Sequence, residues 1–551
     1  MKPSYIKLFS IIAISCLGLI VYSNTFQCSF HLDDQFSIVG NLLIRNIYNL
    51  RNIWDFWPSR FITCFTFALN YQIHQLNVLG YHIFNLIIHL GSAILVWWLM
   101  LLTFSTPALD NNRIIKYANL IALFAGLIFI SHPIQTQGIT YIHQRAASMA
   151  TLFYLISLNL YVKFRLLLQK GGSRVTLRYY YSFSLASAII AMFTKEITIT
   201  LPLMICLYEL SFFRTKRAIN WKYLFPFLLT MLVIPLTLLL TKFVNYFGGM
   251  RCTTEFSFGT TSPWQYLLTQ FRVMVTYIRL VFLPFNQNLD YDYPTAITLL
   301  SLPVLVSLFF LISILILAVR LFRNYKLISF GIFWFFLTHL PESSIMPQPD
   351  IIFEHRLYLP MVGYSIFLVS GLYYLFKEKR VKITVLVLCL LVIFYSILTF
   401  QRNKVWEDEF TLWSDAVRKS PYKARTYFNR GKAYQKKGNY NQAIADYNQA
   451  IQINSNYADA YNNRGNIYLD KGEFDQAISD YNKAIKLNSK FAKIIKSNLG
   501  YSLPYYNRAA AYYFKQEYDL AWEDLHKAES LGFDLDSNLL KELRKVSESK
   551  N

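Results

Sequence analysis

MKPSYIKLFSIIAISCLGLIVYSN, Met1–Asn24, runs a basic head into an unbroken apolar stretch and leads to FHLDDQFSIVGN, Phe30–Asn41, where Asp33 and Asp34 stand side by side. As a secretory signal this segment would be removed. As a retained helix it is the first of a series and sets the side on which each later loop falls. No small-residue cleavage site precedes the acidic stretch, so a retained span with its N-terminus inside is expected. Apolar runs of spanning length recur near 81–104, 117–131, 146–162, 178–193, 197–213, 223–242, 299–319, 327–340, 359–376 and 382–400. With residues 5–24 they make about eleven spans in a chain that is 54% apolar and 16% charged. The fold class expected is all-α, a polytopic helical membrane domain over 1–401.

A formal charge of +22 raises nucleic acid as a partner until the charge is mapped. Residues 402–551 hold 24 basic and 19 acidic side chains, and residues 1–401 hold 30 and 13. On the eleven-span topology 20 of those 30 and 3 of those 13 lie inside, leaving 10 and 10 outside. The excess is therefore a positive-inside bias, and no nucleic acid is expected. RTKR (Arg214–Arg217) and KEKRVK (Lys377–Lys382) read as stop-transfer flanks. Of six cysteines, Cys16, Cys206 and Cys389 lie in spans and Cys28, Cys64 and Cys252 outside, which leaves a Cys28–Cys64 disulfide open without requiring one. No spacing resembles a zinc site.

Beyond residue 401 the chain turns polar and rich in Asn and Tyr. YFNRGKAYQKKGNYNQAIADYNQAIQIN (Tyr427–Asn454) returns as YNNRGNIYLDKGEFDQAISDYNKAIKLN (Tyr461–Asn488), a period of 34. That period, with small residues at Gly431, Ala443 and Ala450 among aromatics, marks tetratricopeptide helix-turn-helix repeats. A third unit starts at Tyr505, ten residues late because of the insert around KIIKSNLGYSLP, and Asn403–Pro421 reads as the second helix of a degenerate unit. Residues 402–551 are thus expected to form a solenoid of about three to four units, placed outside by the odd number of spans. QYLLTQFRVMVTYIRLVFLP (Gln265–Pro284) could also cross, but Gln265, Thr269, Arg272, Thr276 and Arg279 form one polar stripe. An interfacial or re-entrant helix within a long fourth outside loop, 243–298, keeps the charge bias intact.

The outside loops share ionisable groups. The long first loop holds Asp33, Asp34 and Arg60; later ones hold His132 and Arg145, then Lys195 and Glu196, then Arg272 and Arg279, then Glu354, His355 and Arg356. Paired carboxylates with arginines at one membrane face suit transfer of a group carried on a lipid phosphate. Guanidinium grips phosphate oxygens in pairs, and a carboxylate can take the proton of an incoming hydroxyl. Asp33 and Asp34 are the candidate catalytic residues, and mutual repulsion would raise the proton affinity of one of them. Arg272, Arg279, Arg356 and His355 are the candidate phosphate ligands, although Arg272 and Arg279 stand about 10 Å apart along a helix, too far to share one phosphate. Glu354, Glu196, Lys195, His132, Arg145 and Arg60 are supporting candidates, with His132 before Pro133 read first as a helix-end cap. Asn429, Asn463 and Asn507 recur at equivalent repeat positions and could hold an extended polypeptide, or else stabilise the repeat turns.

Asp33-Asp34 after the first span, HPIQTQGITYIHQR, FTKEITITLPLMICLYEL, YIRLVFLPFNQNLDYDYP, PESSIMPQPDIIFEHRLYLP and the repeats together resemble the transmembrane-and-tetratricopeptide protein O-mannosyltransferase group and its bacterial relatives, among the GT-C membrane glycosyltransferases. The resemblance implies an inverting transferase that moves mannose or a similar sugar from a polyprenyl phosphate to a hydroxyl, such as Ser or Thr of a protein held by the repeats. By position it makes Asp33 the base and Asp34 its neighbour. Gln137 stands where many relatives carry an acid. The lipid-linked sugar is substrate, no cofactor is required, and no divalent metal or metal-ligating residue is expected. The implied setting is a bacterial inner membrane with periplasmic repeats, or an endoplasmic-reticulum membrane with lumenal ones. The competing readings are a non-catalytic membrane scaffold that recruits partners through the repeats, and a transporter or flippase, which would place ionisable residues at mid-span.

Overall fold

The computed structural model describes residues 3–110, 112–213, 220–241, 261–344, 347–348, 350–495, 502–533 and 538–549. The RTKR cluster, Cys252 and residues 243–260 of the expected fourth outside loop lie outside these. The described residues contain helices and connecting turns and no strand, the arrangement that satisfies backbone groups within each segment where lipid offers no partner.

The described chain divides into two compact units, one within residues 3–241, 261–289 and 293–408, the other within 290–292 and 409–549. In the first, each of the eleven expected segments is helical. Among the described residues seven helical segments are long and apolar enough to cross a membrane, and three shorter apolar helices, Tyr5–Val21, Lys326–His339 and Pro360–Phe376, accompany them. The remaining segment, Arg174–Met192, is less apolar because it opens on Arg174, Arg178 and three tyrosines. The N-terminal helix is integral to the unit: Ile14 and Tyr22 are enclosed, and the Asn403 amide donates to the Val21 carbonyl at 3.0 Å. Helices Lys326–His339 and Pro360–Phe376 approach at Gly331 and Gly363, where a Cβ on either would meet the other's carbonyl oxygen at 2.6 Å.

Pro263–Phe282 is one helix, opened by Ser262 and Gln265 in a capping box. Its polar stripe is covered by the chain that follows: the Thr269 hydroxyl accepts from the Ala296 N–H at 2.8 Å, Thr276 meets the Tyr293 hydroxyl at 3.0 Å, and Arg272 donates to the Pro294 carbonyl at 3.1 Å. The stripe is thus a seat for residues 293–296. Cys28 and Cys64 are separate buried thiols, so the disulfide left open above is not formed here.

Among the described residues the second unit contains three helix pairs, Ala424–Lys436 with Tyr440–Ile453, Ala458–Asp470 with Phe474–Ile495, and Ser502–Phe514 with Tyr518–Ser530, led by Glu409–Lys419 and followed by Asn538–Ser549. The last apolar helix runs on to Val405, and the second compact unit takes up the chain again from Glu409. Each pair is closed by a partly buried bidentate ion pair 16 residues apart, Arg430–Asp446, Arg464–Asp480 and Arg508–Asp524. A Cβ on Gly431 or Gly465 would meet Tyr447 or Tyr481 at 2.8 Å; in the third pair Ala509 stands opposite the smaller Leu525.

Candidate active site

The acidic pair is split by its backbone. Leu32 has φ +46°, an uncommon conformation for a residue with a Cβ, and the chain enters a π-helical turn at Gln35–Val39 just after the pair. Asp33 is exposed and Asp34 enclosed. Asp34 accepts the backbone N–H of His31 at 2.9 Å and of His143 at 2.6 Å, while Ser37 bonds the His143 Nδ1 at 2.8 Å. The Tyr141 hydroxyl accepts the Asp33 N–H at 3.0 Å, and its ring stacks on Trp406, whose carbonyl meets His31 Nε2 at 2.8 Å. Burial pushes the Asp34 carboxyl up to about 8 against the two N–H bonds that favour its ionised form. Repulsion from Asp33 is a lesser cause. The raised proton affinity expected from repulsion therefore comes mainly from burial, and it falls on the enclosed acid.

A group of cations is linked to this pair through His143, which bonds Asp34 and acts on His355. Arg60 and Glu196 are paired at 3.0 Å, with Ser59 donating to the same carboxylate at 2.8 Å, and Lys195 and Glu342 at 2.9 Å. Arg356 donates to the carbonyls of Ile351 and Asp350 at 3.0 and 2.7 Å. His355 is held well below its usual range by burial and then by the charges of Lys195, Arg356, His143 and Arg60. Burial also lowers Lys195, with Glu342 opposing. Burial is the larger cause for His355, and Lys195, Arg356 and Arg60 around it add a local positive field that would favour an anion. Trp57 joins the two groups, with the Arg60 guanidinium 4.3 Å above its ring and His143 at 6.0 Å.

Other expected site residues lie elsewhere. Arg272 and Arg279 sit on the outer side of their helix and donate to the carbonyls of Pro294 and Phe285, whereas Tyr266 and Tyr277 of the same helix bond Glu342 and Phe353. The stripe that singled out the arginines is thus turned away from Arg356. Arg145 is enclosed, with Nε on Asn85 at 2.6 Å and its Nη atoms on Thr66 and the Tyr81 carbonyl, so its guanidinium is spent on bracing helices. His132 caps the turn Pro133–Gln135, accepting from the Ile134 N–H at 3.2 Å. Glu354 is enclosed and accepts from the Asn288 N–H at 2.6 Å and the Gln287 amide at 3.1 Å. Gln137, in place of an acid, accepts the His355 N–H at 2.6 Å.

In the repeats Asn429 donates to the Arg425 carbonyl of its own helix. Asn463 accepts from Asn462, which accepts from Asn507 at 3.0 Å, a ladder across neighbouring helices. Tyr141, Trp57, Trp406 and Glu342 were missing from the expected set, and His143, an ionisable group of the second outside loop, had been given no role in it. The alternation in ITYIHQR, which puts Tyr141 two residues before His143, is the local signal that could have raised Tyr141.

The family model for the tetratricopeptide repeat matches residues 424–457 and 458–491. A protein O-mannosyl-transferase of Caenorhabditis elegans is 26% identical over 447 residues, 76% of this chain and 58% of the relative. Protein O-mannosyl-transferase TMTC3 of Homo sapiens is 23% identical over 75% of this chain and 48% of its own length. TMTC2 of Mus musculus is 32% identical over 27% of this chain and 18% of its own length. The chain spans about half the length of the first two of these. Over about three-quarters of its own length, with tetratricopeptide repeats at its C-terminal end, this chain resembles the transmembrane-and-tetratricopeptide protein O-mannosyltransferase group.

Proposed function

We propose that this protein is an inverting glycosyltransferase that moves a sugar, mannose or similar, from a polyprenyl phosphate to a Ser or Thr hydroxyl of a protein at the extracytoplasmic membrane face. The observation that carries the reading is the exposed Asp33 next to an Asp34 held by His143, whose ring faces Trp57 under the Arg60 guanidinium and whose charge also acts on His355. In the proposed step the acceptor oxygen attacks the anomeric carbon and its proton passes to the Asp33 carboxylate. The bond from that carbon to the phosphate oxygen breaks, and the polyprenyl phosphate leaves with the electron pair. Asp34 keeps the loop in place through its two backbone bonds, and the cations take up the leaving charge. Transport fits less well, because these groups sit at helix ends and in loops. The names of the relatives support mannose and a protein acceptor.

The test is release of polyprenyl phosphate from mannosyl-phosphopolyprenol by the full chain in lipid, with a Ser/Thr-rich protein as acceptor. Transfer that requires Asp33 supports the reading. Intact donor after prolonged incubation with any of a panel of acceptors overturns it in favour of a scaffold.

A further inference from the structure

Between the helices Pro263–Phe282 and Leu302–Leu321 the chain returns without regular structure, and its residues make three successive sets of bonds. Gln287 and Asn288 hold both oxygens of Glu354, at 3.1 and 2.6 Å. Two residues on, the Asp290 carboxylate takes Arg425 through Nε at 2.7 Å and Nη2 at 2.6 Å, and Lys423 besides. The Ser420 hydroxyl accepts the Asp292 N–H at 3.0 Å and donates to the Asp290 carbonyl at 2.7 Å. Ala296 then bonds Thr269. Residues 290–292 belong to the repeat unit and their neighbours on both sides to the other, so the two sets of bonds are linked through the backbone of Leu289.

The cationic clamp is not a feature of the repeat. Thirty-four residues after Lys423 and Arg425 stand Tyr457 and Asp459, and the third repeat has Leu503 at the place of Arg425. The pair is specific to Asp290, which is 2% exposed and is held below the usual carboxylate range by Arg425 and Lys423 despite burial. An enclosed, doubly bonded carboxylate is costly to keep unless it is tightly fixed.

We propose that Asp290 is a positioning residue for the donor phosphate. By fixing this strap it holds Gln287 and Asn288 on Glu354, and Glu354 opens the turn Glu354–Leu357 that carries His355 and Arg356. This rests on the reading of those cations as the phosphate site. Glu354 can only accept; if the strap slackens, its enclosed oxygens lose donors and the turn shifts, and a displacement of about 1 Å is enough to weaken a phosphate grip.

The experiment uses the full chain in lipid, with Asp290→Asn, Arg425→Gln and the double variant, and Asp290→Glu as the conservative control. The expected result is a KM for the donor lipid raised about tenfold with kcat reduced less, no further rise in the double variant, and partial recovery with Asp290→Glu. A folding defect would lower apparent kcat and leave KM unchanged, which overturns the proposal. Hydrogen exchange separates this from failure of the functional reading, because it needs no turnover. In Asp290→Asn, faster exchange at 287–292 together with 354–357 supports the link even if the wild type proves inactive on every donor. Faster exchange at 290–292 with 354–357 unchanged overturns it.

Discussion

Asp33 and Asp34 are adjacent in the chain and opposite in environment, so they should fail differently. Asp33→Asn keeps volume and removes the proton acceptor; transfer is expected to fall by at least about a hundredfold with the thermal midpoint unchanged. Full activity would remove Asp33 from the mechanism. Asp34→Asn turns an amide NH₂ toward one of two backbone N–H donors that now meet carboxylate oxygens at 2.9 and 2.6 Å. That variant should lower the thermal midpoint as well as the activity. The pH dependence has a definite sign. The folded-state pKa of Asp34, about 8, lies above the ordinary carboxylate value near 4, so its contribution to stability is fully present below about 4 and is lost as pH rises through about 8. Midpoints measured from pH 5 to 9 should fall for the wild type and fall less steeply for Asp34→Asn. Arg145 offers a contrast: Arg145→Gln should cost about 2–3 kcal/mol or more by orphaning Asn85 and the Tyr81 carbonyl, since enclosed bonds to a charged donor are worth that much.

Among the elements, the repeats show how one position is solved three times. Gly438 and Gly472 turn between paired helices with φ of +75° and +78°, and the same place in the third repeat is Gln516 at φ +65°. A side chain in that region costs about 1–2 kcal/mol relative to glycine. Gln516→Gly is therefore expected to stabilise the third repeat by about 1 kcal/mol, read as a higher unfolding midpoint of the isolated 409–551 fragment if that fragment folds, or as slower exchange of Ser502–Ser530 in the whole chain. No change would mean that the turn's two backbone bonds, Gln516 N–H to Tyr513 and Glu517 N–H to Tyr512, already offset the strain.

For the whole molecule, the unit boundary determines where it can be cut. The last apolar helix continues to Val405, and Trp406 stacks on Tyr141 beside the acidic pair. Truncation after Arg402 removes that tryptophan, whereas truncation after Asp408 spares it. The shorter chain should lose transfer to every acceptor. The longer one should keep transfer to a short peptide, with a raised KM for donor because Arg425 is gone, and lose it to a long polypeptide. Equal loss of both acceptors after the Asp408 cut would assign the repeats to stability alone.

Periodicity and composition determined the helices, because a membrane span and a 34-residue repeat are written in contiguous residues: each of the eleven apolar runs and each repeat helix pair is there to be read. The first loop and the EHR turn were legible for the same reason, as charges abutting apolar runs. What tertiary structure alone decided was which charges meet. Arg272 and Arg279 share a stripe with Thr269 and Thr276, and only the return of residues 285–296 over that stripe shows that it faces its own loop. Glu342, Tyr141 and Trp406 enter the site from loops and a helix end far apart in the chain. Local pattern reports burial and helical phase. A contact between residues hundreds of positions apart depends on how helices pack, and no periodicity within one helix carries that information.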